Sequence, residues 1–224
     1  MNPEINSWDP IWETVFKDQE WGKYPGENLI QFIGRNFYEK DRKNVSLLEI
    51  GCGPGANVWF MAREGFDVIG IDGSNTAINK AKERLQNENL NAHFIVGDII
   101  KLPFENQKFD AIIDNECLYS NNEQNTILIL SEIDRVLKKD GLFYSRSFST
   151  QMYIGEKLNN DTFEFSDITV GPLSGKGFVR LINEQKIRTL YSIFFNIRSI
   201  DKLEYTQYNG TQKISEYIII CQKK

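Results

Sequence analysis

The stretch LLEIGCGPGANVWF, residues 47–60, constrains the fold more than any other part of the sequence. An apolar run leads directly into a glycine-rich turn, and a helical pattern follows that turn. Similar apolar runs alternate with helical patterns along the chain, which is typical of a parallel sheet with crossover helices. Glycines in such a turn let backbone N–H groups approach a ligand closely. The sequence therefore predicts an α/β domain with a ligand site after its first strand.

The same alternation gives the remaining elements. Two apolar runs near the end of the chain, 194–205 and 215–224, lie close enough in sequence to form an antiparallel hairpin. The residues before the first strand, 8–38, are expected to form one or two helices over the carboxyl edge of the sheet. The other predicted strands are 45–50, 66–72, 92–98, 109–114 and 142–148, and the predicted helices are 56–64, 74–86, 123–139 and 183–191, with Ser74 as an N-cap.

Length and charge limit the classes of protein that fit. The 224 residues, 41% of them hydrophobic, can bury one sizeable core and contain no long linker, so we expect a single domain over residues 1–224. The net charge is −5, and the scattered lysines and arginines offer no footprint for nucleic acid or an anionic membrane. No signal peptide or membrane span is evident. We expect a cytoplasmic monomer or homodimer.

The cysteines and the lone histidine carry no chemistry in this interpretation. Cys52, Cys117 and Cys221 are odd in number and widely spaced, which fits reduced thiols and gives no metal-ligand pattern. His93 lies inside the third predicted strand, away from the carboxyl edge where ligands bind, so we expect a structural role. No metal site is predicted.

The glycine loop itself fits two cofactors. Gly51, Gly53 and Ala56 satisfy the G-x-G-x-x-A fingerprint of dinucleotide binding. Glu49 with Gly51, Gly53 and Gly55 instead gives E-x-G-x-G-x-G. A carboxylate at position 49 would repel a pyrophosphate, whereas it suits a positively charged ligand. S-adenosylmethionine (SAM) carries an ammonium and a sulfonium and no phosphate, so the loop favours SAM over a nicotinamide dinucleotide.

Acidic residues after the next two strands also suit a nucleoside. Asp72 ends the second predicted strand, where a carboxylate can accept from ribose hydroxyls in either cofactor family. Asp98 and Ile99 follow the third strand. There an acid can accept from an adenine amino group while an aliphatic side chain covers the face of the base, a pair for which a nicotinamide enzyme has no general need.

Together these motifs resemble the class I SAM-dependent methyltransferases. The resemblance runs from about residue 45 to the end of the chain and is carried by E-x-G-x-G-x-G, GIDGS (70–74), GDIIKLPF (97–104) and FDAIIDNECLY (109–119). It implies a Rossmann-like, mostly parallel seven-stranded sheet in the order 3-2-1-4-5-7-6, with strand seven antiparallel and helices on both faces. It also implies which residues contact SAM: Gly51, Cys52, Gly53 and Asn115 on the methionine portion, Asp72 on the ribose, Asp98 and Ile99 on the adenine, and Asn57 and Gly73 beside them.

Gly73 departs from the family pattern, because the residue after the ribose acid is usually bulky and lies against the adenine. The N-terminal segment, residues 1–40, is expected to form a helical lid. Its Trp8 and Trp12 share a face if the segment is helical. Their spacing resembles that of the thiopurine methyltransferases, which present a Trp-x-x-x-Trp pair toward SAM. Trp12 and Tyr24 are therefore included among the predicted cofactor-binding residues.

Methyl transfer needs alignment and exclusion of water more than acid–base chemistry. For a hydroxyl acceptor, a base would help, and Glu116 and Tyr119 are best placed to reach a cleft above strand four. Residues 149–177 are expected to be an acceptor-site insertion, whose acids are Glu156, Asp161, Glu164 and Asp167. The sequence lacks the Asn/Asp-Pro-Pro-aromatic and Pro-Cys motifs of the base-methylating relatives.

The expected activity is therefore SAM-dependent methyl transfer to a hydroxyl, amine or thiol of a small molecule. Two alternatives stay open at this stage. The spacing of Gly51, Gly53 and Ala56 also fits an NAD-dependent oxidoreductase. A catalytically idle SAM-binding module would carry the same four motifs.

Overall fold

The computed structural model describes residues 7–155, 162–166 and 168–224. The predicted acids Glu156, Asp161 and Asp167 therefore lie outside the described residues. The helices are α1 (Ile11–Asp18), α2 (Glu27–Phe37), α3 (Ala56–Arg63), α4 (Asn75–Gln86), α5 (Glu123–Val136) and α6 (Glu184–Tyr191). The strands are β1 (Ser46–Ile50), β2 (Asp67–Asp72), β3 (His93–Val96), β4 (Phe109–Asn115), β5 (Leu137–Phe148), β6 (Glu164–Phe165), β7 (Val179–Arg180), β8 (Phe195–Gln207) and β9 (Gln212–Lys223).

A seven-stranded sheet forms the centre of the molecule in the order β3-β2-β1-β4-β5-β9-β8. β9 is antiparallel to both of its neighbours, whereas the other pairs in the sheet are parallel. With the seven strands counted in chain order, this arrangement is the predicted 3-2-1-4-5-7-6. The labels differ because the short strands β6 and β7 pair with each other in a separate two-stranded sheet.

Both faces of the central strands are buried. Leu48 and Ile112 belong to a core cluster that includes apolar residues of α5 and α6, and Leu47 and Ala111 belong to a second cluster with residues of α2 and α3. Successive residues of a strand point to opposite faces, so a strand covered on both sides is apolar at most positions. This explains why the predicted strands 45–50 and 109–114 are mostly apolar, with Glu49 and Asp114 as buried exceptions.

Several predicted boundaries need correction. The predicted helix 123–139 ends at Val136, because Leu137 already pairs with Phe109 in the sheet and begins β5. Gly141 therefore lies inside a strand rather than at the end of a helix. The predicted cap was right, since the Ser74 hydroxyl accepts from the backbone N–H of Ala77 at 3.0 Å.

The N-terminal segment is only partly a lid. Leu29 and Ile33 of α2 are fully buried in the core cluster on one face of the sheet, so α2 is a layer of the domain. α1 packs against α4, where Lys80 Nζ donates to the carbonyl of Phe16 at 2.7 Å. Trp8 precedes α1, which begins at Ile11, so Trp8 and Trp12 do not share a helical face. Among residues 7–40, those that reach the carboxyl edge lie in 7–16 and 21–26, so a lid formed by these residues stays a prediction.

Candidate active site

Two adjoining clefts open at the carboxyl edge of the sheet, beneath α1. Their empty volumes, open solvent included, are about 520 Å³ for the first cleft and about 900 Å³ for the second. Trp12, Phe16, Gly51 and Glu116 line both clefts and mark where they meet. The first cleft also has Trp8, Asp72, Gly73 and Ile99 in its lining, and the second has Glu49, Cys52, Gly53, Asn57, Asn115, Tyr119 and Arg146.

The glycine loop between β1 and α3 needs its glycines. Gly51 and Gly53 have φ angles of 59° and 50°, a left-handed conformation that side chains disfavour. A Cβ atom at Gly51 would lie 2.3 Å from Sγ of Cys117, and one at Gly53 would contact the ring of Phe16 at 3.4 Å. The bare backbone of this loop therefore forms the floor where the clefts meet.

Asp72 is held rigidly at the end of β2. Its Oδ2 atom accepts from the backbone N–H of Gly53 at 2.8 Å, and its Oδ1 atom accepts from that of Ser74 at 2.8 Å. Burial raises the pKa of Asp72, while these two hydrogen bonds lower it. The side chain is 6% exposed and lines the first cleft, so it presents a fixed acceptor there.

Glu49 lines the second cleft and is almost completely buried. Its Oε1 atom accepts from Nδ2 of Asn57 at 2.6 Å, and burial raises its pKa to about 8 although this hydrogen bond opposes the shift. Within the described part of the chain, Oε2 of Glu49 and Oδ1 of Asn115 are buried without a hydrogen-bond partner. Two unpaired acceptor oxygens on one cleft suit a ligand that brings a cationic donor. This is the chemistry that the ammonium of SAM offers.

Asp98 already has hydrogen-bond partners in the N-terminal segment. Its carboxylate accepts from the backbone N–H of Ser7 at 2.8 Å and from the Ser7 hydroxyl, and it also accepts from the backbone N–H of Ile100 at 3.0 Å. Ile99 is buried in the lining of the first cleft, and its contact with the adenine stays a prediction. Asp98 does not line either cleft, so its assigned role on the adenine stays a prediction.

Glu116 is the charged side chain placed at the junction of the two clefts. Its φ of 63° is unusual for a residue other than glycine, and such strain clusters at functional sites. Its Oε1 atom lies 3.0 Å from Nε of Arg146, which also pairs with the buried carboxylate of Glu216. Burial raises the pKa of Glu116 to about 7, Arg146 opposes this shift, and Glu216 adds to it.

Tyr119, the other predicted catalytic residue, lies in the second cleft and does not line the first. Tyr119 is buried in the lining of the second cleft, and its ring meets that of Trp12 edge-on at a centroid distance of 6.4 Å. Burial raises the pKa of the Tyr119 hydroxyl well above its ordinary value, which argues against this phenol as a base.

Tyr24 is 74% exposed, packs on Trp59 and borders the mouth of the second cleft. Burial also raises the pKa of the Cys52 thiol, consistent with a small loop residue.

The described part of the predicted acceptor-site insertion, residues 149–177, packs against residues that line the clefts. No residue of 149–155, 162–166 or 168–177 lines either cleft. Met152, Ile168 and Leu173 instead form a core cluster that includes Tyr119 and packs against Trp12. Glu164 lies in β6, outside both linings. The assignment of 149–177 to the acceptor site therefore stays a prediction.

The sequence indicated Trp8 only through the Trp-x-x-x-Trp spacing that it shares with Trp12, and sequence reasoning missed Phe16 and Arg146. Arg146 lies near the end of β5 in the stretch SRSF, with a 14% exposed side chain. The rule that ligands bind at carboxyl ends of strands, applied to this strand as it was to the first four, would have found it. Phe16 gave no such signal, because only the docking of α1 brings it to the glycine loop.

No group of three or more His, Cys, Asp or Glu side chains in the part of the chain that the structure describes is arranged to hold a metal ion. No helix among the described residues is long and apolar enough to cross a membrane. His93 is exposed at the beginning of β3, away from both clefts.

Comparison with known proteins identifies the family. Residues 41–207 match a family model described as a methyltransferase domain. The chain belongs to this family, and it is a class I methyltransferase domain with SAM as its cofactor. The match begins after α2, so the likeness of the N-terminal segment to thiopurine methyltransferases stays a prediction.

One relative and two solved structures show what the chain is similar to. The chain is 32% identical over 122 residues to a ubiquinone biosynthesis O-methyltransferase of Pelagibacter ubique, a match that covers 54% of this chain and 50% of that protein. A SAM-dependent methyltransferase structure from Methanosarcina mazei is similar with a TM-score of 0.71 and 23% identity, covering 89% of this chain and 98% of that one. A 1,6-didemethyltoxoflavin N1-methyltransferase of Burkholderia thailandensis, solved with S-adenosylhomocysteine, gives 0.67 and 14%, covering 88% and 77%.

Proposed function

We propose that this chain transfers the methyl group of SAM, in line, to a hydroxyl, amine or thiol of a small molecule. The observation that carries the proposal is the position of Glu116 in the lining of both clefts. The first cleft holds the groups proposed for the ribose and the second those proposed for the ammonium, so the sulfonium that joins these two parts of SAM would lie at the junction, beside Glu116. The neighbouring Arg146 balances its charge at 3.0 Å.

The residues assigned to the cofactor offer acceptor oxygens that match the hydrogen-bond donors of SAM. The unpaired oxygens of Glu49 and Asn115 would accept from the ammonium, and the fixed carboxylate of Asp72 would accept from ribose hydroxyls. Gly51 and Gly53 leave the backbone bare beneath the methionine portion. Bound SAM supplies an activated methyl group on a sulfonium whose departing thioether is neutral. The protein therefore needs mainly to align the acceptor and exclude water.

Glu116 would remove the proton of the acceptor. A general base works best when its pKa lies near the operating pH, and burial places that of Glu116 at about 7. Its strained backbone and its pairing with Arg146 hold the carboxylate at the junction rather than in solvent. This role matters most for hydroxyl and thiol acceptors, which must lose a proton to become good nucleophiles.

The lining of the junction favours a flat, apolar acceptor. Trp12 and Phe16 lie with ring centroids 5.6 Å apart, and Tyr119 closes the second cleft against Trp12. Aromatic walls of this kind bind planar rings by stacking and edge contacts. The names of one relative, a ubiquinone biosynthesis O-methyltransferase, and of one protein with a similar fold, a 1,6-didemethyltoxoflavin N1-methyltransferase, describe methylation on oxygen and on nitrogen. We therefore favour phenols and nitrogen heteroaromatics as acceptors.

The proposal is tested with methyl-labelled SAM and a panel of phenols, heteroaromatic amines and aromatic thiols. We expect labelled product and an equal amount of S-adenosylhomocysteine with at least one class. The matched control is Glu204→Gln, which changes a glutamate of β8 outside both clefts and should leave the rate unchanged. SAM binding without methyl transfer to any member would contradict the proposal and favour a catalytically idle SAM-binding module.

A further inference from the structure

The indole of Trp8 occupies the space where residue 73 would carry a side chain. A Cβ atom added to Gly73 would lie 2.1 Å from Cδ1 of Trp8 and 2.4 Å from Nε1. Such distances are far shorter than any van der Waals contact, so the two positions are complementary: a side chain at 73 and an indole at 8 exclude each other. Both residues line the first cleft next to Asp72.

Ser7, the residue before Trp8, ties the chain at the indole to the loop that follows β3. Its backbone N–H and its hydroxyl both donate to the carboxylate of Asp98, the N–H at 2.8 Å. On the other side of Trp8, the Glu13 carboxylate accepts from the Ser74 hydroxyl at 2.5 Å and thereby joins α1 to the start of α4. Trp8 is thus held between two anchors, each on a loop that follows a strand of the sheet.

We propose that Trp8 is a cofactor-binding residue whose indole forms a wall for the purine base. The first cleft contains the ribose acceptor Asp72, the aliphatic side chain of Ile99 and this indole. A purine attached to a ribose at Asp72 has to lie among these groups, and aromatic side chains stack well on nucleobases. The N-terminal segment therefore supplies the surface that the glycine at position 73 lacks.

This inference rests on the proposed function only in that SAM must bind. Its test is a double-mutant cycle on the full chain, read by calorimetric titration with SAM and with S-adenosylhomocysteine. Trp8→Ala removes the wall and should weaken both ligands about tenfold, the usual size of a lost base–aromatic stack. The two losses should be equal, because the adenine is the same in both ligands.

The variant Gly73→Leu tests whether a side chain at position 73 can replace the Trp8 indole. Its side chain displaces the indole and supplies an apolar wall from the residue that follows β2, so SAM affinity should stay within severalfold of the wild type. In that background, Trp8→Ala should cost almost nothing, although it costs about tenfold alone. Tyr208→Asn, which changes an exposed aromatic of the β8–β9 turn, is the control and should leave binding unchanged.

Three results would overturn the inference. Tighter SAM binding by Trp8→Ala would mean that the indole obstructs the purine site. Additive losses in the double variant would mean that Trp8 and Gly73 act independently, and no loss for Trp8→Ala would remove the indole from the site. Circular dichroism and thermal melting confirm that each variant is folded. If the wild type itself binds no SAM, the proposed function fails as well, so the two failures are distinguishable.

Discussion

The Oε1 atom of Glu116 lies 3.0 Å from Nε of Arg146, at the junction of the two clefts. Arg146 also pairs with Glu216, which is 2% exposed, so one guanidinium serves two carboxylates. The extra negative charge and the burial of the site together raise the proton affinity of Glu116. This arrangement gives the site a base that titrates near neutral pH.

Glu116→Gln should lower kcat with a phenol or thiol acceptor about a hundredfold, because positioned bases contribute roughly 10²–10⁴. The base must be ionised to act, so wild-type kcat should rise with pH through about 7, the pKa of Glu116. The variant should lose that rise. Initial rates between pH 5.5 and 9 give both results, with Glu204→Gln as the matched control. An unchanged pH profile in the Glu116 variant would assign this residue to structure.

SAM binding should release a proton from Glu49. With a pKa of about 8, this carboxyl group is mostly protonated at pH 7, and a bound ammonium would lower its pKa and ionise it. SAM affinity should therefore rise with pH up to about 8. Calorimetry at pH 7 in two buffers of different ionisation enthalpy measures the release, and Glu49→Gln should abolish it. Equal apparent enthalpies in both buffers for the wild type would contradict an ammonium site at Glu49.

Asp72→Ala should weaken SAM and S-adenosylhomocysteine about equally, by roughly tenfold or more. A hydrogen bond to a charged group contributes about 1.5–3 kcal/mol, and the ribose is the same in both ligands. Asp72→Asn, which keeps one acceptor oxygen for the loop amides, separates this effect from a disturbed glycine loop. Unchanged affinity in both folded variants would remove Asp72 from the ribose.

Trp12→Leu should weaken SAM severalfold more than S-adenosylhomocysteine. The indole of Trp12 lines both clefts, and an aromatic face favours a nearby cation by about 0.5–2 kcal/mol. The neutral product would not receive this contribution, whereas the leucine keeps apolar bulk. Calorimetry on one folded variant compares the two ligands directly. Equal losses would make Trp12 a packing residue, in contrast to Trp8, for which equal losses are expected.

The sequence predicted the parts of the site that depend on local rules. Asp72 was predicted because it ends a strand of a parallel sheet, where ligands bind, and Asn115 because of the resemblance to the methyltransferases; each lines a cleft. The glycine loop was found because Gly51 and Gly53 follow a buried strand at once. These signals lie within a few residues of the chain, so no knowledge of tertiary contacts was needed.

The missed features are contacts between distant segments. Trp8 reaches Gly73 across more than sixty positions, and the sequence showed only that Gly73 lacked a side chain, without showing what fills its place. Ser7, which is distant in sequence from Asp98, likewise donates its backbone N–H to the Asp98 carboxylate that the sequence had assigned to the adenine. α2 was assigned to the lid together with the rest of residues 1–40, and the sequence alone does not tell which surface its apolar face covers. In each case docking of the N-terminal segment decided the outcome.

The central claim is that the E-x-G-x-G-x-G loop and its neighbours bind SAM rather than a dinucleotide. Parallel calorimetric titrations of the purified full chain with SAM and with NAD test this most directly, with Glu49→Gln included as the variant that removes the carboxylate. We predict saturable SAM binding that weakens in the variant, and no measurable binding of NAD. Measurable NAD binding in the absence of SAM binding would contradict the account and support an oxidoreductase instead.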